Sequence, residues 1–397
     1  MKINYFSLGK KIDSYVVSLL MLFFFIFQFL YVKDGNILFQ FLNMFIAMLS
    51  FVYVYKYIHR YAFLYLIIMV CFATFTTIIS AKYKIGDIAF SLLMPIFGFL
   101  MALYRDRLVI PALIFCVGVI LYCGRAIFLG LDLNTELFSF SSRNYISVLA
   151  IFSFFTVCIS CKNEKVKTIL LVLTFLIILF SNSRSAALSF IVVIFAWICC
   201  LWMRNIIVGF VLASLAVSAM SYFLFYHGND IYNGALDTFG ILRRLSAGGL
   251  GDSGRLNVIQ CYYSEFGVDS FLLGLDAFDG NICRFLANGS DNPHNSFIKM
   301  YTNLGLFSFA VFSVILLSML SFFKRKDIIM LSFLLCFLIR AGTDIIFFFQ
   351  SWDAYLFAIF IIAMPKFFLN EHGIVKISVY NSRGTNGYTS STDGYNA

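Results

Sequence analysis

The sequence predicts an all-α polytopic membrane protein with about 12 transmembrane helices. Hydrophobic residues make up 61% of the 397 residues, charged residues only 12%, and 50 residues are phenylalanine. This composition lies far outside the range of soluble globular proteins. The apolar runs are continuous rather than alternating, which indicates helices and not the strands of a barrel.

Apolar runs follow one another along most of the chain, and a helix that crosses a bilayer needs about 20 such residues. The first run follows three lysines, as in a signal peptide. We interpret it as a retained helix because it is too long and has no small-x-small cleavage site. The last two runs are the least regular, since one is short and the other contains Asp353. The predicted spans are 15–32, 37–55, 61–80, 88–104, 108–129, 145–161, 166–180, 186–202, 205–226, 296–322, 328–341 and 345–368.

These spans divide the chain into four parts. Residues 1–226 hold the first nine helices, 227–295 form one large polar loop, and 296–370 hold the last three helices. Residues 371–397 form a polar tail that we expect to be disordered. Within the loop we expect two short helices, at 237–246 and 255–266. Both are expected to lie against the membrane, because a loop of this size has too little core to stand alone.

Basic residues predict the orientation of the chain in the membrane. Short loops rich in lysine and arginine, such as 162–167 and 324–326, are expected in the cytoplasm together with both termini. The large loop then lies on the outer side. The formal net charge of +9 reflects this topology and does not indicate nucleic-acid binding.

The cysteines do not suggest a metal site. There are ten of them, and no cluster of histidine and cysteine is present, so we expect no metal and no cofactor. Eight lie in predicted spans, where cysteine commonly serves as a small hydrophobic residue. Cys261 and Cys283 lie in the large loop, where a disulfide between them requires an oxidising compartment.

Four predicted helix starts combine capping residues with a basic or titratable side chain. The predicted topology puts all four at one face of the membrane. A helix N-terminus attracts anions through its dipole and its unpaired N–H groups. Arginine is favourable there when an anion, preferably a diphosphate, bridges the dipole and the guanidinium. We therefore predict a shared anion site formed by Arg143 before the sixth span, Arg184 before the eighth, Arg255 in the loop and His294 before the tenth.

Each of these residues also has a simpler explanation. A single arginine at a helix boundary commonly anchors to lipid headgroups, and Arg244 with its neighbour Arg243 fits that role. The glycine-rich run 248–254 is not followed by the Gly-Lys-Ser/Thr of a P-loop. Arg340 and Asp344 are four residues apart, so we favour a structural ion pair across one helical turn over a functional role.

Short motifs at these helix starts resemble the Wzy/WaaL superfamily of bacterial envelope glycosyltransferases, the O-antigen polymerases and O-antigen ligases. The motifs are SRN at 142–144, SNSRSA at 181–186, SGR at 253–255, PHNSF at 293–297 and NLG at 303–305. The topology agrees with the family over about residues 1–370. The resemblance implies a GT-C-like fold, a sugar donor carried on undecaprenyl diphosphate, and metal-independent transfer on the periplasmic side.

The resemblance also implies a role for individual residues. By motif match, Arg184 and Arg255 would bind the donor diphosphate and Arg143 would assist. Arg244 matches none of these motifs and is a further candidate for binding the diphosphate. Arg255 and His294 are the expected catalytic residues. His294 would accept the proton of the acceptor hydroxyl, and the arginines would neutralise the departing diphosphate. The candidate supporting residues are Ser183, Asp291, Asn295 and Arg340.

The expected function is polymerisation of lipid-linked oligosaccharide repeat units of O-antigen or capsule in the bacterial inner membrane. The growing glycan would pass from undecaprenyl diphosphate to a sugar hydroxyl of another lipid-linked unit. One alternative is an O-antigen ligase that transfers the polymer to lipid A–core. A second is a flippase or other transporter, which should show repeated halves and broken helices with charges near the midplane. Expected partners are the lipid-linked donor, membrane lipid and a chain-length regulator protein.

Overall fold

The computed structural model describes residues 5–79, 85–131, 133, 137–138, 143–181, 183–204, 260–262, 264, 268–274 and 295–382. All longer elements in these ranges are helices, and the only strand-like feature described is an isolated antiparallel bridge between Ile58 and Leu369. Five candidate spans in the described ranges are long and apolar enough to cross a membrane. The prediction of an α-helical membrane protein is confirmed, and the number of twelve spans stays a prediction.

Helices follow one another with short connections before the large loop, and shorter helices follow it. A 3-10 turn at Tyr55–Tyr57 follows α2, and another at Gly305–Phe307 separates α10 from α11. The helices are α1 (Tyr5–Asp34), α2 (Ile37–Val54), α3 (Arg60–Ile79), α4 (Ile85–Leu103), α5 (Arg105–Phe128), α6 (Arg143–Ser160), α7 (Glu164–Phe180), α8 (Arg184–Arg204), α9 (Val268–Leu273), α10 (Ser296–Leu304), α11 (Ser308–Lys324), α12 (Ile328–Thr343), α13 (Asp353–Ala363), α14 (Pro365–Phe368) and α15 (Glu371–Ser382).

Helix starts follow local capping chemistry. The side chains of Asn36, Asn163, Asn295 and Asp327 accept hydrogen bonds from backbone N–H groups in the first turns of α2, α7, α10 and α12. Such caps satisfy N–H groups that have no partner within the helix. The predicted spans from 15–32 to 186–202 each coincide with a helix, whereas the span 205–226 lies outside the described residues.

The predicted twelfth span, 345–368, is wrong as one continuous helix. Residues 344–352 are not helical, and α13 begins only at Asp353. The Asp353 carboxylate accepts hydrogen bonds from the N–H groups of Phe348 and Phe349, both at 2.6 Å, and of Gln350 at 3.1 Å. Such side-chain bonds compete with the helical pattern. The 11 residues of α13 then extend over roughly 16 Å, too short to cross a hydrocarbon core of about 30 Å.

The tail after residue 370 also differs from the prediction, because its first part is the helix α15. Asn370 donates its backbone N–H to the Tyr57 carbonyl at 3.0 Å and accepts the Gly373 N–H at 3.1 Å. The Lys376 ammonium lies 4.6 Å from the centre of the Tyr57 ring, within the range of a cation–π contact. These contacts hold the helix against the 3-10 turn at Tyr55–Tyr57. Residues from 383 onward lie outside the described ranges.

Only part of the large loop is described. Residues 260–262 and 264 are helical, within the helix predicted at 255–266, while the helix predicted at 237–246 lies outside the described residues. Cys261 is disulfide-bonded. Cys283, the partner that the sequence predicts for it, lies outside the described residues. The sequence did not predict α9, which packs against the 3-10 turn Gly305–Phe307.

Two glycines allow α9 and the end of α10 to approach each other. Gly274 and Gly305 have φ values of +85° and +50°. A Cβ atom on Gly274 would lie 2.7 Å from the Thr302 carbonyl oxygen, and one on Gly305 would clash with the Leu272 carbonyl oxygen. This approach gives a physical reason for the 3-10 turn that interrupts the predicted span 296–322.

We expect Gly274→Ala to lower the free energy of unfolding by about 2–4 kcal/mol, through left-handed backbone strain and overpacking. Gly130→Ala is a matched control, because Gly130 also has a positive φ, +72°, but no atom lies within 4 Å of its added Cβ. The control should lose only about 1–2 kcal/mol. Thermal unfolding in detergent measures both variants. Equal losses would show that the close approach is absent.

The short helix α13 lies at the centre of the bundle. All of its residues are buried, and it packs chiefly against α4, with further contacts to α11 and α12. Elsewhere α5 packs on α6, α8 on α12, and α1 on α2. An aromatic cluster next to the start of α13 places the Phe152 ring centre 4.6 Å from those of Phe337 and Tyr355 and 5.1 Å from that of Trp352. Segment 344–352 is therefore enclosed by protein, which tolerates non-helical backbone at membrane depth.

Candidate functional site

Three helix starts and one helix end meet at one end of the bundle. The starts are those of α6, α8 and α10, and the end is that of α12. Hydrogen bonds from side chains to side chains and to backbone carbonyls connect residues in or next to all four helices. We call this group of residues the polar cluster; it consists of Asn144, Ser183, Ser185, Asn295, Ser296, Arg340 and Asp344.

Asn144 connects α6 to α8 and to the residue that follows α12. Its Nδ2 donates to Asp344 Oδ2 at 2.8 Å, and its Oδ1 accepts from the Ser183 hydroxyl at 3.1 Å. Asp344 is only 5% exposed. A buried carboxylate is stable only with hydrogen-bond or charge partners, and Asn144 is one of these. The amide side chain therefore fixes the relative positions of three elements.

Arg340 inserts a guanidinium between α6 and α8. The residue is 1% exposed. Its Nη1 donates to the Ser185 hydroxyl, and its Nη2 donates to the Asn144 carbonyl oxygen at 3.4 Å. We expected a structural pair between Arg340 and Asp344 across one turn of helix. The contacts described here connect both residues through Asn144, so they form part of a wider network.

The start of α10 is attached to the end of α12. Asn295 Oδ1 accepts the N–H groups of Phe297 and Ile298 as an N-cap, and Asn295 Nδ2 donates to the Gly342 carbonyl at 3.2 Å. The Ser296 hydroxyl donates to the Asp344 carbonyl at 2.7 Å. The chain direction of α10 at its first residue is thus determined by α12. His294 immediately precedes this cap in the chain but lies outside the described residues.

The electrostatics of this end of the bundle favour an anion. Arg143 is the first residue of α6 and Arg184 the first residue of α8. Each helix start contributes roughly half a positive charge, and the guanidinium of the buried Arg340 adds a full one. The buried carboxylate of Asp344 and the partial negative charge at the end of α12 oppose them. Arg184 is half-exposed, so its side chain is accessible to a ligand.

The predicted site residues divide into two groups. The structure brings Ser183, Asn295 and Arg340 together in the polar cluster, and it puts Arg143 and Arg184 at the starts of two helices in that cluster. The residues outside the described ranges are Arg244, Arg255, Asp291 and His294.

Sequence reasoning did not select Asn144, Ser185 or Ser296. All three directly follow predicted residues, namely Arg143, Arg184 and Asn295. A preference for polar residues on both sides of a predicted helix start would have found them.

Two described cavities are apolar grooves between helices. One, of about 260 Å³, lies between α1 and α5 and is lined by residues such as Phe25, Phe29 and Tyr122. The other, of about 410 Å³, lies between α2, α3 and α4. The apolar lining of the first groove can accommodate an apolar chain.

Chemically, the polar cluster can hold an anion and keep several helix starts in a defined geometry. Among the described residues, no group of three or more His, Cys, Asp or Glu side chains could hold a metal ion. Comparison of the sequence with models of known protein families finds no match, and comparison with curated proteins finds none either.

Proposed function

We propose that this protein is a glycosyltransferase of the bacterial inner membrane that polymerises lipid-linked oligosaccharide repeat units of O-antigen or capsule. The main support is the convergence of the starts of α6, α8 and α10 with the buried Arg340 at one end of the bundle. Such a convergence suits a ligand that is anionic and bound from the membrane. An undecaprenyl diphosphate donor has both properties. The active site would face the periplasm.

The reaction that we propose is a displacement at the anomeric carbon of the donor sugar. The hydroxyl oxygen of the acceptor sugar forms a bond to that carbon, and its proton passes to His294. The bond between the carbon and the diphosphate oxygen breaks, and its electron pair leaves with undecaprenyl diphosphate. Arg184 and Arg255 would neutralise the charge on the leaving group, with Arg143 and Arg244 assisting.

The described residues contribute preorganisation to this proposal. Asn144, Arg340 and Asp344 hold the helix starts in position before a substrate arrives, which avoids reorganisation during the reaction. The groove between α1 and α5 gives an apolar surface for part of the polyprenyl chain.

We expect Arg184→Ala to reduce chain formation by about 10²–10³-fold, because one donor to the developing charge is lost. Arg107→Ala is a matched control. Arg107 is exposed, lies in the first turn of α5 and pairs with Asp106 at 3.1 Å. The other end of α5, at Phe128, is the end from which the chain continues to α6. The measurement is elongation of purified lipid-linked repeat units by reconstituted protein, with membrane expression checked in parallel.

Near-normal elongation by Arg184→Ala would contradict the proposal, as would an equal loss in the Arg107 control. A gel of surface polysaccharide from a strain without the protein separates the polymerase from the ligase. A single repeat capped on the core indicates a missing polymerase. Accumulated polymer that is not attached to the core indicates a missing ligase.

A transporter of lipid-linked saccharide is a second candidate, because two structural observations favour it. Segment 344–352 and the turn Gly305–Phe307 interrupt predicted spans, and Lys299 and Asp353 are buried charged residues within or beside them. Broken helices with intramembrane charges are typical of transport sites. Reconstitution distinguishes the two functions: chain lengthening without a gradient indicates the polymerase, and translocation without new glycosidic bonds indicates the transporter.

A further inference from the structure

Segment 344–352 has a backbone conformation that its sequence would not adopt alone. Phe348 and Phe349 have φ values of 62° and 72°. A positive φ is uncommon for bulky residues and persists only where the surrounding structure holds it. Both phenylalanines are buried, and neither is a glycine that would adopt this conformation without cost. Other groups must therefore stabilise the segment.

Two side chains accept the hydrogen bonds of five successive backbone amides. The Ser296 hydroxyl accepts from the N–H groups of Ile346 at 2.9 Å and Phe347 at 3.2 Å. The Asp353 carboxylate accepts from those of residues 348–350, at 2.6, 2.6 and 3.1 Å. Ser296 begins α10 and Asp353 begins α13, so the segment is held from both sides. Both residues are less than 5% exposed.

The two ends of the segment are attached to other helices. At one end, Asp344 accepts from Asn144 of α6. At the other end, the Ser351 hydroxyl accepts from Gln28 Nε2 of α1 at 3.4 Å, and Gln28 Oε1 accepts from the Tyr355 hydroxyl at 2.5 Å. A change of backbone conformation within the segment would therefore move Asp344, and with it the polar cluster.

We propose that Asp353 and Ser296 are positioning residues for glycosyl transfer. By accepting the amides of residues 346–350 they impose the strained conformation of segment 344–352. In that conformation Asp344 accepts the hydrogen bond of Asn144, and the start of α10 stays in contact with the end of α12. The inference rests on the proposed function. The two residues would affect kcat although neither contacts the substrate.

A purely structural role makes a different prediction. If Asp353 only stabilised α13, its loss would lower the amount of folded protein and leave the turnover of each folded molecule unchanged. A positioning role lowers kcat in the folded protein and changes KM little. The reason is that a small misplacement of reacting groups reduces the rate more than it reduces binding.

The test uses Asp353→Asn and Ser296→Ala in the full-length protein. Asparagine at position 353 keeps the shape of the side chain but offers one acceptor oxygen in place of two. Two variants serve as matched controls. Asp327→Asn changes an aspartate that accepts the Met330 N–H at 3.2 Å at the start of α12. Ser318→Ala changes a buried serine whose hydroxyl donates to the Val314 carbonyl of its own helix.

Two measurements are made on each purified variant. Amide hydrogen exchange follows the peptide that covers 344–352, and steady-state elongation of lipid-linked repeat units gives kcat and KM. We expect Asp353→Asn and Ser296→Ala to raise exchange in this peptide by about 10-fold to 100-fold, as loss of a buried hydrogen bond predicts. We expect kcat to fall by about 10²-fold with KM changed less than about 3-fold. The controls should leave the exchange of this peptide and kcat near wild type.

Three outcomes would overturn the inference. One is unchanged exchange of 344–352 in both variants, because these side chains then do not hold the segment. Another is increased exchange with normal kcat, because the conformation of the segment then does not affect transfer. The third is an equal effect in the controls. A wild-type protein that elongates nothing would instead refute the proposed function, and with it any positioning role in that reaction.

Discussion

Alanine at position 340 is expected to lower the free energy of unfolding by about 3–5 kcal/mol, the range for removal of one partner from a buried charged network. The Arg340 guanidinium is 1% exposed and donates to Ser185 of α8 and to the Asn144 carbonyl of α6. Alanine would leave a cavity and remove the positive charge near the buried Asp344. The starts of α6 and α8 would lose a direct connection to α12.

Arg325→Ala provides the control for this substitution. Arg325 lies just after α11, is exposed, and donates one hydrogen bond to the Ile362 carbonyl at 3.0 Å. Its loss should cost only about 0.5–1.5 kcal/mol. Unfolding in detergent, followed by circular dichroism, measures both. A loss below about 1 kcal/mol in Arg340→Ala would mean that the guanidinium does not hold the polar cluster together.

Valine at position 98 is expected to destabilise the protein by about 3 kcal/mol, at the upper end of the range for overpacking a core. Gly98 lies on α4, where α4 and α13 pack against each other. Even a single Cβ at this position would lie 2.8 Å from the Ala354 carbonyl oxygen and 2.8 Å from the Phe357 Cβ. Because α13 is buried on all sides, it has no space to move away from the new side chain.

Gly118→Val is the matched control for position 98. Gly118 also lies within a helix, α5, but a Cβ added there has no atom within 4 Å. Valine has a higher helix propensity than glycine, so the control should be neutral or slightly stabilising. Melting temperatures in detergent should fall for Gly98→Val alone. Equal melting temperatures for the two variants would contradict the close packing of α4 on α13.

Composition and periodicity predict much of the fold. Continuous apolar runs predict helices because a bilayer leaves backbone groups no partner except those within the helix. Caps at Asn36, Asn163 and Asp327 are local, so short stretches of sequence contain all the information that they require. The seven predicted spans from 37–55 to 186–202 lie between charged or polar turns. For this reason their predicted ends lie within a few residues of the observed helix ends.

The departures from prediction have a common physical cause. Segment 344–352 belongs to an apolar run in the sequence. Its backbone N–H groups nevertheless donate to Ser296 and Asp353 instead of to helical carbonyls. Residues 371–382 form a polar stretch, yet Asn370 and Tyr57 give it a surface on which to fold. Ser296 and Tyr57 lie far along the chain from these two stretches, so hydropathy along each stretch contains no signal for them. Asp353 lies within the predicted span, but its charge alone does not show that it accepts the amides of residues 348–350.

For the candidate site, the helix starts that combine capping residues with basic side chains are predictable from the sequence, because capping and charge are local properties. The connection of these starts through Asn144, Arg340 and Asp344 becomes visible in the folded protein. Those bonds join residues about 200 positions apart, 144 and 344 among them. Such contacts depend on the packing of α6, α8 and α12 against one another, and no local pattern in the chain records that packing.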